Sequence, residues 1–185
     1  SRNCSSLHFL YITAEELPVF NSMGFLIRHS FQFHWKNSNY QDFDQFLSTL
    51  KRKRRKEIIR ERKQIKEQMI TVSVLEGDDI TREHIAQMYK FYISTISRKW
   101  GHQYLSLEFF YRIQQTMLKR LVLILAYVDE DCVAGAINFQ KGDCLYGRYW
   151  GCKGNYRSLH FELCYYQPIE YSIRKGISLF EAGAQ

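Results

Sequence analysis

Apolar and polar positions divide this chain into short extended runs and longer helical ones. Residues 7–13 alternate as a strand does, and 14–22 have helical spacing with Pro18 in the way and Gly24 as the stop. Residues 25–35 put Phe25, Ile27, His29, Phe31 and Phe33 on one face of a long predicted strand. From Asn39 a helix is predicted to about Gln68, opened by Asp42 in the manner of a capping box. Its apolar stripe runs through Phe43, Phe46, Leu47, Leu50, Ile58 and Ile65, and the same stripe passes through Arg54 and Glu61. A buried charge costs several kcal/mol unless it is paired, so Arg54 and Glu61 either find partners, face a cleft, or lie where the helix has left the core.

The second half of the chain reads more regularly. A strand at 69–75 turns at Gly77, Asp78 and Asp79 into a helix at 81–99, for which Thr81 is a lone cap without a capping box to His84. A second helix at 107–119 has Ser106 as its cap, and RKWGHQY lies between the two. Runs at 121–127, 132–139 and 143–150 are strands joined by turns so short that they must form an antiparallel meander. A helix from Ser158, kinked at Pro168 and stopped by Gly176, then crosses over to a strand at 177–182 that should lie parallel to the strand before it. The predicted class is α+β: a mixed sheet of antiparallel meander plus strand–helix–strand crossover, flanked by helices.

Chemistry concentrates in the last forty or so residues. Simple alternation along LYGRYWG places Tyr146, Arg148 and Trp150 on one face and Gly147 and Tyr149 on the other. The helix that follows opens with His160 and Glu162, and its free backbone donors suit an anion. Tyr165 lies farther along it, and Glu181 is in the closing strand, where it can face a site or pair with Arg148.

Composition narrows the class. The chain is 45% apolar and 16% aromatic over 185 residues, which argues for a folded core and against disorder. Its longest apolar run, 121–128, falls far short of the roughly 20 residues a membrane-spanning helix needs. Five cysteines, at 4, 132, 144, 152 and 164, form no CxxC pair and suit reduced thiols in a cytoplasm. The net charge of +7 is local: residues 51–66 hold ten Lys or Arg against two Glu, while the remainder sums to −1. That run, KRKRRKEIIRERKQIK, is either a solvated helix face or a phosphate-binding surface for nucleic acid. Glu57 has basic neighbours at helical pairing distance, whereas Glu61 has none three or four places away, so Glu61 should face something other than its own helix.

FQFHW, the KRKRRKEIIRER run, RKWG, LYGRYWG, LHFELCYYQ and EAGAQ, in this order, resemble the FemAB-like peptidoglycan biosynthesis or recognition proteins of the GNAT acyltransferase superfamily. The resemblance covers most of the chain from about Ser6. It implies two GNAT-like domains in tandem, with residues 1–36 the end of the first and 37–185 most of the second, truncated at its C-terminus. It also implies N-acyl transfer from acyl-CoA or aminoacyl-tRNA to an amine, a reaction that needs a base and oxyanion donors but no metal and no tightly bound cofactor. On that implication Glu162, Glu181 and His160 are candidate bases, and Tyr165, Tyr146 or Tyr149 candidate proton donors. Arg148, Gly151, Gly154 and Arg157 are placed to bind the donor, and Glu61, Trp100, Tyr146 and Trp150 to contact substrate. GNAT enzymes usually carry a (Q/R)xxGx(G/A) phosphate loop ahead of this helix; GCKGNYRSLHF has the glycines and arginine at another spacing. That departure leaves tRNA open as the donor carrier, held by Lys53, Arg54 and Arg55. The competing class is a recognition module that binds cell-wall precursors or nucleic acid without turnover.

Overall fold

A computed structural model describes residues 5–10, 12–29, 31–98 and 103–183. The chain forms two compact units, residues 1–31 and 32–185. The first holds one short helix, α1 (Leu17–Ser22), with Pro18 in its first turn, where a missing amide costs nothing. Thr13 and Glu16 exchange hydrogen bonds ahead of it, Thr13 N donating to Glu16 Oε2 at 2.8 Å, and Phe9, Phe20 and Phe25 pack ring against ring. Among the described residues, those of the strand expected at 7–13 and most of those expected at 25–35 are irregular, and His34–Lys36 (β1) is the stretch that is extended and paired. Alternation specifies which side chains share a face; it does not supply a neighbouring strand.

The second unit is a sheet of six strands in the order β1-β6-β5-β4-β3-β2, where β2 is Ile70–Glu76, β3 Leu121–Val128, β4 Asp131–Lys141, β5 Cys144–Cys152 and β6 Leu179–Glu181. All pairings are antiparallel except β5 with β6, the crossover expected from the sequence. Every residue of β3 from Leu121 to Ala126 is buried because the sheet is covered on both sides. Leu121, Leu123 and Leu125 pack with Ile85, Met88, Phe91 and Tyr92 of α4 (Arg82–Arg98) and Phe110 of α5 (Leu107–Met117). Val122, Ile124 and Ala126 face the other layer. That layer is built from α2 (Phe43–Ser48), α3 (Arg52–Glu67) and the helix after β5.

The long helix expected from 39 to 68 is broken at Thr49–Lys51, where the Ser48 and Thr49 hydroxyls bond to backbone carbonyls three residues back. Asp42 caps α2 by accepting from Gln45 N at 2.7 Å. Thr81 and His84 do form a reciprocal box: His84 N donates to Thr81 Oγ1 and Thr81 N to His84 Nδ1. The imidazole reaches back as a glutamate would.

The helix after β5 changes pitch along its length. A single turn, α6 (Leu159–Phe161), widens into a π turn at Glu162–Tyr166 before α7 (Gln167–Lys175) resumes the α geometry. Pro168 lacks an amide and its ring would meet the carbonyl four residues back in a straight α-helix, so the wide turn ahead of it replaces the expected kink. Ser158 was expected to cap this helix. It adopts a left-handed conformation instead, φ 60°, and its hydroxyl donates to Gln64 of α3 at 3.0 Å. Gly176, φ 66°, ends α7 with its amide on Ile173 O and the Ile177 amide on Ser172 O.

Candidate functional site

Strands β5 and β6 pair over three residues, Cys144–Tyr146 against Leu179–Glu181. Just past this pairing Gly147 lies so close to Ala182 that a Cβ there would sit 3.0 Å from its carbonyl oxygen. Past it opens a cleft of about 410 Å³, lined on the sheet by Asn138, Arg148, Tyr149 and Trp150, on the crossover helix by His160 and Tyr165, and on α4 by Tyr92 and Thr95.

A bulge decides which side chains enter. Ile137 pairs with Tyr149 and Asn138 with Gly147, so Arg148 is an extra residue in β5. The alternation predicted for LYGRYWG therefore fails. Tyr149 packs in the α4–α5 layer, while Trp150 packs toward the crossover helix, where its ring lies 4.6 Å from His160. The π turn has a similar consequence. Its wider pitch brings His160, Cys164 and Tyr165 to one side, and the His160 and Tyr165 rings are 5.8 Å apart.

Hydrogen bonds fix the walls. Thr95 Oγ1 donates to Trp150 O at 2.8 Å and Arg98 Nη2 to Cys152 O at 3.2 Å, so α4 bonds to the edge of β5 turned away from β4. A strand residue's N–H and C=O leave on the same side, and the Trp150 amide therefore points away from β4 as its carbonyl does. Tyr149 and Tyr104 share a hydroxyl–hydroxyl bond of 2.9 Å, and burial together with that bond raises the Tyr149 phenol well above its ordinary value. Burial also pushes the Cys164 thiol far up, which keeps it protonated and unreactive. Asn138 is buried, its amide donating to Val122 O at 3.3 Å.

A model of the FemAB-like family, described as peptidoglycan biosynthesis/recognition, matches residues 1–185. The chain belongs to this family. Among solved structures, the FemAB-like chain is similar to L-PGS from Bacillus licheniformis, at 12% identity and a TM-score of 0.56 over 92% of this chain and 51% of that one. It is also similar to FemX, at 13% identity and a TM-score of 0.60 over 93% of this chain and 60% of that one. Identities this low speak for the fold alone, a GNAT-like mixed sheet. The FemAB-like chain spans between half and three-fifths of the length of these two proteins. Comparison with curated proteins finds no match.

Of the residues singled out in the sequence, Arg148, Tyr149, Trp150, Gly147, His160 and Tyr165 are brought together at the cleft. Trp100 lies outside the described residues. Glu181 is not in the lining, but its carboxylate is 3.5 Å from Arg148 Nη1 and 3.9 Å from His34 Nε2. Tyr146 lies under the Arg148 guanidinium, 5.1 Å from ring centroid to Cζ, and faces a different cavity. Glu162 is buried away from the cleft: its Oε1 accepts from Arg62 Nη2 at 3.0 Å, Arg62 Nε at 3.2 Å and Gln167 Nε2 at 2.8 Å, while Oε2 is buried without a partner among the described residues. Arg62 also reaches Glu170 at 2.7 Å and lies over the Phe43 ring.

Donor-side candidates are dispersed. Gly151 packs under α4, where a Cβ would stand 2.1 Å from Phe91 O. Gly154 lies against Tyr156. The backbone of Arg157 is clasped by the Gln68 amide at 3.0 and 3.1 Å. Lys53 is exposed on α3, Arg55 is half-buried, and Arg54 pairs with Glu57 at 2.7 Å. Glu61 accepts from the Tyr166 hydroxyl across the interface with the crossover helix, so it does face outside its own helix. Tyr92, Thr95, Asn138, Ala182 and Gly183 also line the cleft and were not singled out. Asn138 alone left a signal, as an amide within the apolar run VAGAINF. Among the described residues, no cluster of three or more His, Cys, Asp or Glu is placed to hold a metal ion, and no helix is long and apolar enough to cross a membrane.

Proposed function

We propose that this protein is an N-acyltransferase whose reaction takes place in the cleft beside β5, past its short pairing with β6. The observation that carries this reading is the cleft itself, with an imidazole and phenols converging on the Gly147–Trp150 stretch of β5. An amine bound beside His160 attacks the ester or thioester carbonyl of the donor, and the imidazole takes the proton it loses. The Trp150 amide donates to the oxyanion that develops on the carbonyl oxygen. Collapse of the tetrahedral intermediate breaks the bond to the carrier, whose oxygen or sulfur takes a proton from Tyr165 or Tyr149. Arg148 steadies the donor, with Glu181 fixing the guanidinium.

Aminoacyl-tRNA is the donor favoured over acyl-CoA. Gly151 and the Arg157 backbone are engaged in packing and in hydrogen bonds to Gln68, which leaves the 151–157 loop poorly suited to wrap a pyrophosphate. Lys53 and its neighbours on α3 offer exposed cations for a phosphate backbone. Residues 1–36 are proposed to end a preceding GNAT-like domain, and a cytoplasmic setting with a cell-wall precursor amine as acceptor is part of the same proposal, which the family's link to peptidoglycan biosynthesis or recognition supports.

The test is titration of the protein with labelled tRNA, duplex DNA and acetyl-CoA at matched salt, followed by single-turnover transfer from whichever donor binds. Binding to tRNA that exceeds binding to DNA, with transfer reduced about 10²- to 10⁴-fold in His160→Ala while tRNA binding is kept, is the expected result. Acetyl-CoA binding alone would replace the tRNA reading with a CoA-dependent one. Binding of a precursor without transfer from any donor would leave a recognition module in place of an enzyme.

A further inference from the structure

A second cavity, of about 400 Å³, opens at the other end of the β4–β5 pair and is lined by Met117, Arg120, Phe139, Lys141, Tyr146 and Arg148, with Gln140 beside them. Register explains the gathering. Phe139 lies directly opposite Tyr146, so both share the face that carries α4 and α5. Lys141 follows Phe139 on that face by the two-residue period. The bulge delivers Arg148 beside Tyr146, and Met117 and Arg120 come from the turn that leads α5 into β3. Three cations thus meet at one cavity whose lining contains no carboxylate. Arg148 has Glu181 at 3.5 Å, outside the lining. Arg120 and Lys141 make no side-chain hydrogen bond or ion pair among the described residues.

Like charges held together repel, and with Arg120 and Lys141 unpaired among the described residues an anion between the cations relieves that repulsion. Two guanidinium forks and an ammonium match the several oxygens of a phosphate better than the two of a carboxylate. The volume is that of a small-molecule site, well beyond the needs of a bare ion, and the Phe139 and Tyr146 rings with Met117 supply an apolar floor. We infer that this cavity is a binding site for a small organic phosphate, its phosphoryl group held by Arg120, Lys141 and Arg148 and its apolar part lying on Phe139 and Tyr146. The inference does not depend on the transferase reading. Should both hold, Arg148 borders both sites and would couple their occupancy.

Calorimetric titration of the full chain with inorganic phosphate and with phenyl phosphate, at ionic strength matched with chloride, tests this. Saturable binding of both is expected, phenyl phosphate the tighter. Arg120→Gln and Lys141→Gln should each weaken both ligands by about tenfold, the loss of one charge-assisted contact. Lys90→Gln, an exposed cation on α4, should leave them unchanged. Tyr146→Ala should remove the advantage of phenyl phosphate while retaining phosphate itself. These are surface or half-buried positions, and unchanged melting temperatures will show that the variants fold. Absence of saturable phosphate binding overturns the inference, as does binding that Arg120→Gln and Lys141→Gln leave intact. Equal affinity for the two ligands overturns the apolar floor.

Discussion

Arg62 and Glu162 are 100 residues apart in the chain and meet inside the α3–crossover-helix interface, where the Glu162 side chain is only 4% exposed and that of Arg62 27%. Replacing Arg62 by Leu removes the cation that, among the described residues, is bonded to a buried carboxylate whose other oxygen has no partner there. At 3.0 Å and an effective dielectric of about 20, the attraction lost is about 5 kcal/mol before the desolvation of Arg62 is recovered. Breaking one side of a buried pair costs about 3–5 kcal/mol, which for a unit of this size lowers the melting temperature by about 6–20 °C. The Glu170 contact adds little, because that carboxylate is 41% exposed. In Arg62→Leu/Glu162→Leu the buried charge is gone, and stability should return most of the way, giving a coupling well above about 1 kcal/mol in a double-mutant cycle followed by urea denaturation. A stability for Arg62→Leu within about 1 kcal/mol of wild type, or two effects that simply add, would refute the pairing. The same series separates structure from chemistry: Glu162→Gln should lower stability while leaving transfer at the cleft intact, because Glu162 does not line it.

Other expectations follow from the same geometry. Gly151→Ala forces a Cβ to within 2.1 Å of the Phe91 carbonyl oxygen and should destabilise by about 3 kcal/mol, whereas Gly154→Ala, whose nearest neighbour is the Tyr156 ring at 3.3 Å, should cost under about 1; paired thermal melts decide. The Glu76 carboxyl is held below its ordinary value by bonds from Lys175 and then Tyr171. Its contribution is present above the unfolded carboxylate value and is lost as pH falls through the folded one. Glu76→Gln should therefore cost under about 1 kcal/mol at neutral pH, the pair being well exposed, and nothing in strong acid. Burial raises the Cys132 thiol to about 11, so its alkylation by iodoacetamide at neutral pH should be slower than that of an unfolded-chain thiol by about a hundredfold, and denaturant should abolish the difference.

Much of this was legible from the residues alone. Periods of two and of about four, with Asp42, Ser106 and Gly176 at element ends, are written within windows of a dozen residues, and so the meander, α4, α5 and the parallel crossover were open to reading. So was the isolation of Glu61 from its own helix, since helical neighbours can be counted along the sequence. Tertiary contacts decided the rest. The extra residue at Arg148 exists only in the pairing of β5 with β4, and it puts Tyr149 on the same face as Tyr146 and leaves Trp150 on the other. The π turn ahead of Pro168 brings Tyr165 beside His160, while Glu162 turns away to Arg62. Which carboxylate lies in a cleft and which is consumed in a buried ion pair depends on segments a hundred residues apart, and no local period carries that information. The fold class is set by short-range pattern, which every residue repeats; the site is set by a bulge, a wide turn and a strand pairing only three residues long, each of which departs from that pattern once.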